Sequence, residues 1–94
     1  MSYAIQNLEG KHHGFLLMAS NDCIFRSLPT ESDQLETKES QLLFELQNVG
    51  EFQYSKNGSI INITNPNYSE VITITNSVLN IGNNKFKVIE LANS

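Results

Sequence analysis

Asn57-Gly58 sits between two alternating runs, Phe52-Gln53-Tyr54 and Ile61-Asn62-Ile63, and is the clearest of five turn signals in the second half of the chain. Asn-Gly is the preferred pair for a two-residue type I′ hairpin because both residues tolerate φ > 0. Strand side chains alternate with a period of two, so a hairpin fixed here predicts which residues share each face of a sheet.

The register works outward from that hairpin. It sets Tyr54 opposite Ile61 and Phe52 opposite Ile63. A four-residue loop, Pro66-Asn67-Tyr68-Ser69, sets Ile63 against Ile72 and Ile61 against Ile74. Asn76-Ser77 as a two-residue turn pairs Ile74 with Leu79 and Ile72 with Ile81, and Asn83-Asn84 pairs Ile81 with Phe86 and Leu79 with Val88. In the other direction, a bulged loop Asn48-Val49-Gly50 pairs Leu46 with Phe52 and Phe44 with Tyr54, with Gly50 supplying the left-handed residue. No apolar residue has to change face from one hairpin to the next.

The same register defines the opposite face. One row across it, Glu45, Gln53, Asn62, Thr73, Asn80 and Lys87, is polar, as the solvent side of an antiparallel sheet should be. The next row, Leu43, Ser55, Ile60, Thr75, Val78 and Ile89, is largely aliphatic. Either another segment of the chain covers it, or it is a surface for a partner or for self-association.

Ninety-four residues make one β-rich domain, 1–94, with a single core. The longest apolar stretch, Phe15 to Ala19, is far too short to span a membrane. The first residues lack the basic start and long apolar run of a secretory signal. One cysteine, Cys23, allows no internal disulfide, which suits a reducing compartment, and the expected location is cytoplasmic. Asn57, Asn62 and Asn67 each open an Asn-X-Ser/Thr triplet. In so Asn-rich a chain these are expected by chance, and Asn62 lies mid-strand.

The net charge is −4. Residues 1–50 carry the acids Glu9, Asp22, Glu31, Asp33, Glu36, Glu39 and Glu45 against Lys11, Arg26 and Lys38, while the second half balances. Scattered bases on an acidic chain argue against direct nucleic-acid binding and against docking on an anionic membrane.

The first half is less regular. Gly14–Ala19 and Cys23–Leu28 are strand candidates that Asn21-Asp22 could join, but both faces come out mixed and the register stays open. Pro29 ends the second strand, and Thr30 is a candidate N-cap followed by acids. A helix extended through Leu42, Leu43, Leu46 and Val49, with Gly50 as its C-cap, rivals a Leu42–Gln47 strand. The strand is preferred because its alternation matches Phe52–Tyr54. The expected fold is therefore an all-β or β-rich antiparallel meander of six to eight short strands. It forms a small barrel or strongly curled sheet, with room for one short helix within 30–48.

Candidate chemistry is sparse. Adjacent His12 and His13 point to opposite sides of a strand, so they do not chelate one metal together. A metal site would also require Asp22 or Cys23 nearby. Cys23 with either histidine as a nucleophile–base pair has no local signature. The acids Glu31, Asp33, Glu36 and Glu39 lack calcium-loop spacing. No catalytic residue, metal or cofactor is expected. The leading function is a small non-enzymatic binding protein that contacts another protein or itself: an inhibitor, adaptor or assembly subunit. A phage or mobile-element protein that blocks a host complex is one concrete version. Its expected contact residues are Leu43, Ile60, Val78 and Ile89, with Glu31, Asp33, Glu36 and Glu39. The alternative is a barrel carrying an apolar ligand against Phe44, Phe52, Tyr54 and Phe86, and a Cys/His hydrolase stands behind both.

Overall fold

A computed structural model describes residues 1–28 and 37–91. Three strands come first, β1 (Ser2–Gln6), β2 (His12–Ala19) and β3 (Asp22–Ser27). A helix, α1 (Lys38–Val49), follows. Five strands complete the chain: β4 (Phe52–Asn57), β5 (Ile60–Asn65), β6 (Tyr68–Thr75), β7 (Val78–Ile81) and β8 (Asn84–Leu91). Each strand pairs antiparallel with the next, and β8 returns to β1, closing an eight-stranded barrel. Closure removes the free edges that an open meander would leave.

For β4–β8 the expected inward set is the observed one. Phe52, Ile61, Ile63, Ile72, Ile74, Leu79, Ile81, Phe86 and Val88 are all buried in one cluster, joined by Tyr3, Ile5, Leu16, Met18, Cys23 and Phe25 from the first three strands. Tyr54 is partly buried against it. Phe25 meets Phe52 edge-on with ring centroids 5.0 Å apart. Buried aromatic pairs favour that geometry because the positive ring edge faces the negative ring face.

Asn76 (φ 53°) and Ser77 (φ 62°) form the expected two-residue turn, in type I′ geometry, and Ile72↔Ile81, Ile74↔Leu79, Ile61↔Ile74 and Ile63↔Ile72 pair as expected. Two other hairpins differ. Tyr54 pairs with Ile63 and Lys56 with Ile61, because the loop is Gly58-Ser59 and Asn57 remains in β4. Likewise Gly82-Asn83 is the loop between β7 and β8, so Leu79 pairs with Phe86 and Ile81 with Asn84. In both loops the first residue is glycine (φ 66° and 57°) and the second keeps negative φ, which is a type II′ turn. Each shift moves the pairing by two residues, so every side chain keeps its face. Pro66-Asn67 also forms a two-residue turn in place of the four-residue loop. A bulge between Ile63 and Asn65 absorbs the difference. The β2–β3 turn is Ser20-Asn21, with Ala19 opposite Asp22.

The Leu42–Gln47 strand and its bulged loop are not formed; the rival helix is. Strands β3 and β4 pair only at Asp22↔Gln53 and Cys23↔Phe52. Alongside β3 and the adjoining part of β2 packs α1, whose Leu43 and Leu46 are fully buried in the barrel cluster, with Leu42 and Val49 partly buried against it. The helix is capped by Thr37, whose Oγ1 accepts from Ser40 N at 3.1 Å. Thr30, the expected N-cap, lies outside the described residues. Gly50 (φ 110°) ends the helix as the rival reading required. Helical periodicity turns Phe44 to solvent at 46 % exposed, so it lines no interior pocket. No helix among the described residues is long and apolar enough to cross a membrane.

Candidate interaction face

Burial fixes which residues of the first three strands and β8 point inward: Tyr3 and Ile5, Leu16 and Met18, Cys23 and Phe25, Phe86 and Val88. Alternation then turns Ser2, Ala4, Phe15, Leu17, Ile24, Arg26, Ile89 and Leu91 outward. The pairing aligns them into two cross-strand rows, Ile89–Ala4–Phe15–Arg26 and Leu91–Ser2–Leu17–Ile24. Leu17 and Ile89 are each 40 % exposed, Phe15, Ile24 and Leu91 are half-buried, and Ala4 is buried. The result is one continuous apolar face over four adjacent strands.

Charge is distributed unevenly around this face. Lys87 lies opposite Gln6, beside the first row, and Arg26 ends that row. Asp22 stands beyond the second row, opposite Ala19. There a concavity of about 410 Å³ is lined by Leu17, Ala19, Cys23 and Ile24 together with Asp22 and Glu51. No ion pair engages Arg26, Lys87 or Asp22 among the described residues.

The two histidines are separated by a bulge. Ile5 pairs with Gly14 and Gln6 with His12, leaving His13 as the extra residue of β2. His12 keeps to the outer face, with Nε2 3.4 Å from Gln6 Nε2 and its ring stacked on Phe15 at 6.3 Å. His13 is buried, and its Nε2 has no hydrogen-bond partner among the described residues. Burial pushes its pKa below the ordinary 6.5, Glu39 pulls it partly back, and Lys11 adds to the lowering. Cys23 is buried, and its thiol is pushed up to about 12, first by burial and then by Asp22. A thiol so placed holds almost no thiolate near neutral pH, the form a nucleophile needs. Among the described residues no group of three or more His, Cys, Asp or Glu is placed to hold a metal ion.

No family model matches this chain, and neither the curated proteins nor the solved structures give a match. Its function has to be read from its own surface.

The aliphatic row expected from the sequence is divided by the fold. Leu43 leaves it altogether, because the helix buries it completely. Val78 stays outward but pairs with Thr75 and Lys87, so the shifted β7–β8 register moves Ile89 to the Ala4 row instead. Ile60 remains outward at 41 % exposed, at the start of β5. Glu39 is half-buried in the first turn of α1, whereas Glu31, Asp33 and Glu36 lie outside the described residues. Phe15, Leu17, Ile24 and Leu91 are outward-facing apolar residues that the sequence pattern does not single out. Their signal is the very mixture that leaves the first-half register open: Phe15-Leu16-Leu17-Met18 is apolar on both alternating faces.

Proposed function

We propose that this chain is a small non-enzymatic protein-contact module that works through the outer face of β8, β1, β2 and β3. The observation that carries this reading is the continuous apolar surface of Ile89, Leu91, Phe15, Leu17 and Ile24 on the solvent side of a barrel whose core is already complete. Apolar side chains on both faces of a strand pair are expected where both faces become covered. An inhibitor, adaptor or assembly subunit is the functional class, and a lone free thiol suits a reducing compartment such as the cytoplasm.

A ligand-carrying barrel is less well supported, because Phe25, Phe52, Phe86, Leu16, Leu79 and the helix residues Leu43 and Leu46 occupy the interior. Eight-stranded barrels are just wide enough to be filled in this way. The expected partner is protein and not nucleic acid or membrane, given the acidic chain.

The test is a tagged capture from native lysate, comparing the parent with Leu17→Lys/Ile89→Lys. Both positions point outward, so circular dichroism should be unchanged. A stoichiometric protein held by the parent and released by the variant supports the reading. Equal capture by both would place the contact elsewhere.

A further inference from the structure

We infer that the β2–β3 half of this face binds a second copy of the chain, in a two-fold dimer whose axis runs along the row of Leu17 and Ile24. The inference rests on the reading of this face as a protein-contact surface, and adds the identity of one partner.

The support is a self-complementary pattern. In a two-fold interface each surface meets itself, so a residue on the axis contacts its own copy and residues equidistant from the axis contact each other. When two sheets stack face to face with strands nearly aligned, an axis across the strands reverses each strand about the residue it crosses. On β3 the sequence runs Asp22, Ile24, Arg26 along the outer face, with opposite charges equidistant from Ile24. On β2 it runs Phe15, Leu17, Ala19, with the largest and smallest side chains equidistant from Leu17. Leu17 and Ile24 are direct cross-strand partners, so one axis serves both strands.

Reversal about that axis therefore brings Arg26 of each copy to Asp22 of the other, twice by symmetry. Arg26 and Asp22 lie about 13 Å apart within one chain, too far to pair with each other. The same operation sets Phe15 of each copy over Ala19 of the other. Ala19 lines the concavity of about 410 Å³, so a large ring meets a hollow on each side. Leu17 and Ile24 stack on their own copies at the centre. Two convex barrel surfaces touch over a small area, so association belongs at the weak end of the scale, between about 10 µM and about 1 mM.

Sedimentation equilibrium across that range should show the mass rising from the monomer's 10.6 kDa towards twice that value. Asp22→Arg alone and Arg26→Asp alone each create two like-charge contacts and should hold the protein monomeric throughout. The combined Asp22→Arg/Arg26→Asp variant restores opposite charges across the axis and should recover the dimer, an effect that a fold defect would not produce. In a mixed-label dimer of the parent chain, isotope-filtered Overhauser contacts should link Leu17 methyl groups of the two copies and the Phe15 ring to the other copy's Ala19. A parent that stays monomeric overturns the dimer, while capture of a different protein by the same face would leave the contact-module reading intact. A dimer indifferent to the single reversals, or lacking the Leu17–Leu17 contact, overturns this arrangement.

Discussion

Gln47 Oε1 accepts two hydrogen bonds from Ser27, one from the backbone amide at 2.7 Å and one from the hydroxyl at 3.0 Å. Strand β3 loses β4 as a neighbour after Cys23, and at Ser27 the helix side chain stands in for the missing strand. A side-chain amide is thus used in place of a strand partner at Ser27, while Leu43 and Leu46 of the same helix are buried in the core.

Gln47→Ala should therefore destabilise the protein by about 1–2 kcal/mol, because the Ser27 donors lose a partner at a half-buried site. Gln47→Glu keeps an acceptor oxygen and should cost less. Urea denaturation of the three proteins checks the order. Equal stability of Gln47→Ala and parent would mean that water replaces the amide without loss.

Neighbouring residues of α1 should respond in opposite ways. Leu43 is fully buried and Phe44 is 46 % exposed, so Leu43→Ala should cost about 2–5 kcal/mol through a lost core contact and a residual cavity. Phe44→Ser should fall within about 0.5 kcal/mol of the parent. A strand over 42–47 would reverse the order, since Phe44 would then face the core. Thermal or chemical denaturation of the pair decides between the two conformations.

Gly58 occupies the first loop position at φ 66°, and a Cβ placed there would meet nothing within 4 Å. Backbone conformation, not space, makes substitution costly there. Gly58→Val should destabilise by about 1–3 kcal/mol, and Gly58→Ala by a comparable amount, because the first position of a type II′ turn strains any L side chain whatever its bulk. Denaturation midpoints of the two variants test this. A loss for valine much larger than for alanine would point to crowding of the side chain instead of backbone strain.

The contrast between the two halves of the chain explains what can be read from sequence. The inward face of β4–β8 is legible because Ile61, Ile63, Ile72, Ile74, Leu79 and Ile81 alternate with polar residues, and alternation survives any two-residue error in pairing. The pairing itself is less legible, because Asn-Gly suits a type I′ turn while the following Ser59 lets the same glycine open a type II′ turn. The helix is hard to read because Phe44 and Leu46 fit a strand period as well as Leu43 and Leu46 fit a helical one. Only the shortened β3–β4 pairing decides between them, and that is a property of the closed barrel. The outer face stays hidden for a related reason. Strand β1 carries no clear signal of its own, and its small Ser2 and Ala4 are what bring Ile89 and Leu91 beside Phe15 and Leu17.

His13 should make stability depend on pH. Its folded-state pKa is lowered from 6.5, chiefly by burial, so the unfolded chain takes up a proton first as the solution is acidified. The contribution of neutral His13 is complete above the ordinary value and is lost as pH falls through 6.5 towards the lower folded value. The Nε2 atom, already without a partner among the described residues, would on protonation become a buried charged donor. Glu39 offsets part of that cost, and Lys11 adds to it. His13→Leu removes the titrating group at similar bulk. Denaturation midpoints from about pH 8 to about pH 5 should fall more steeply for the parent than for this variant, whose curve should be flatter near pH 6. Parallel curves would mean that the folded barrel opens enough at the β2 bulge for His13 to titrate as it does in water.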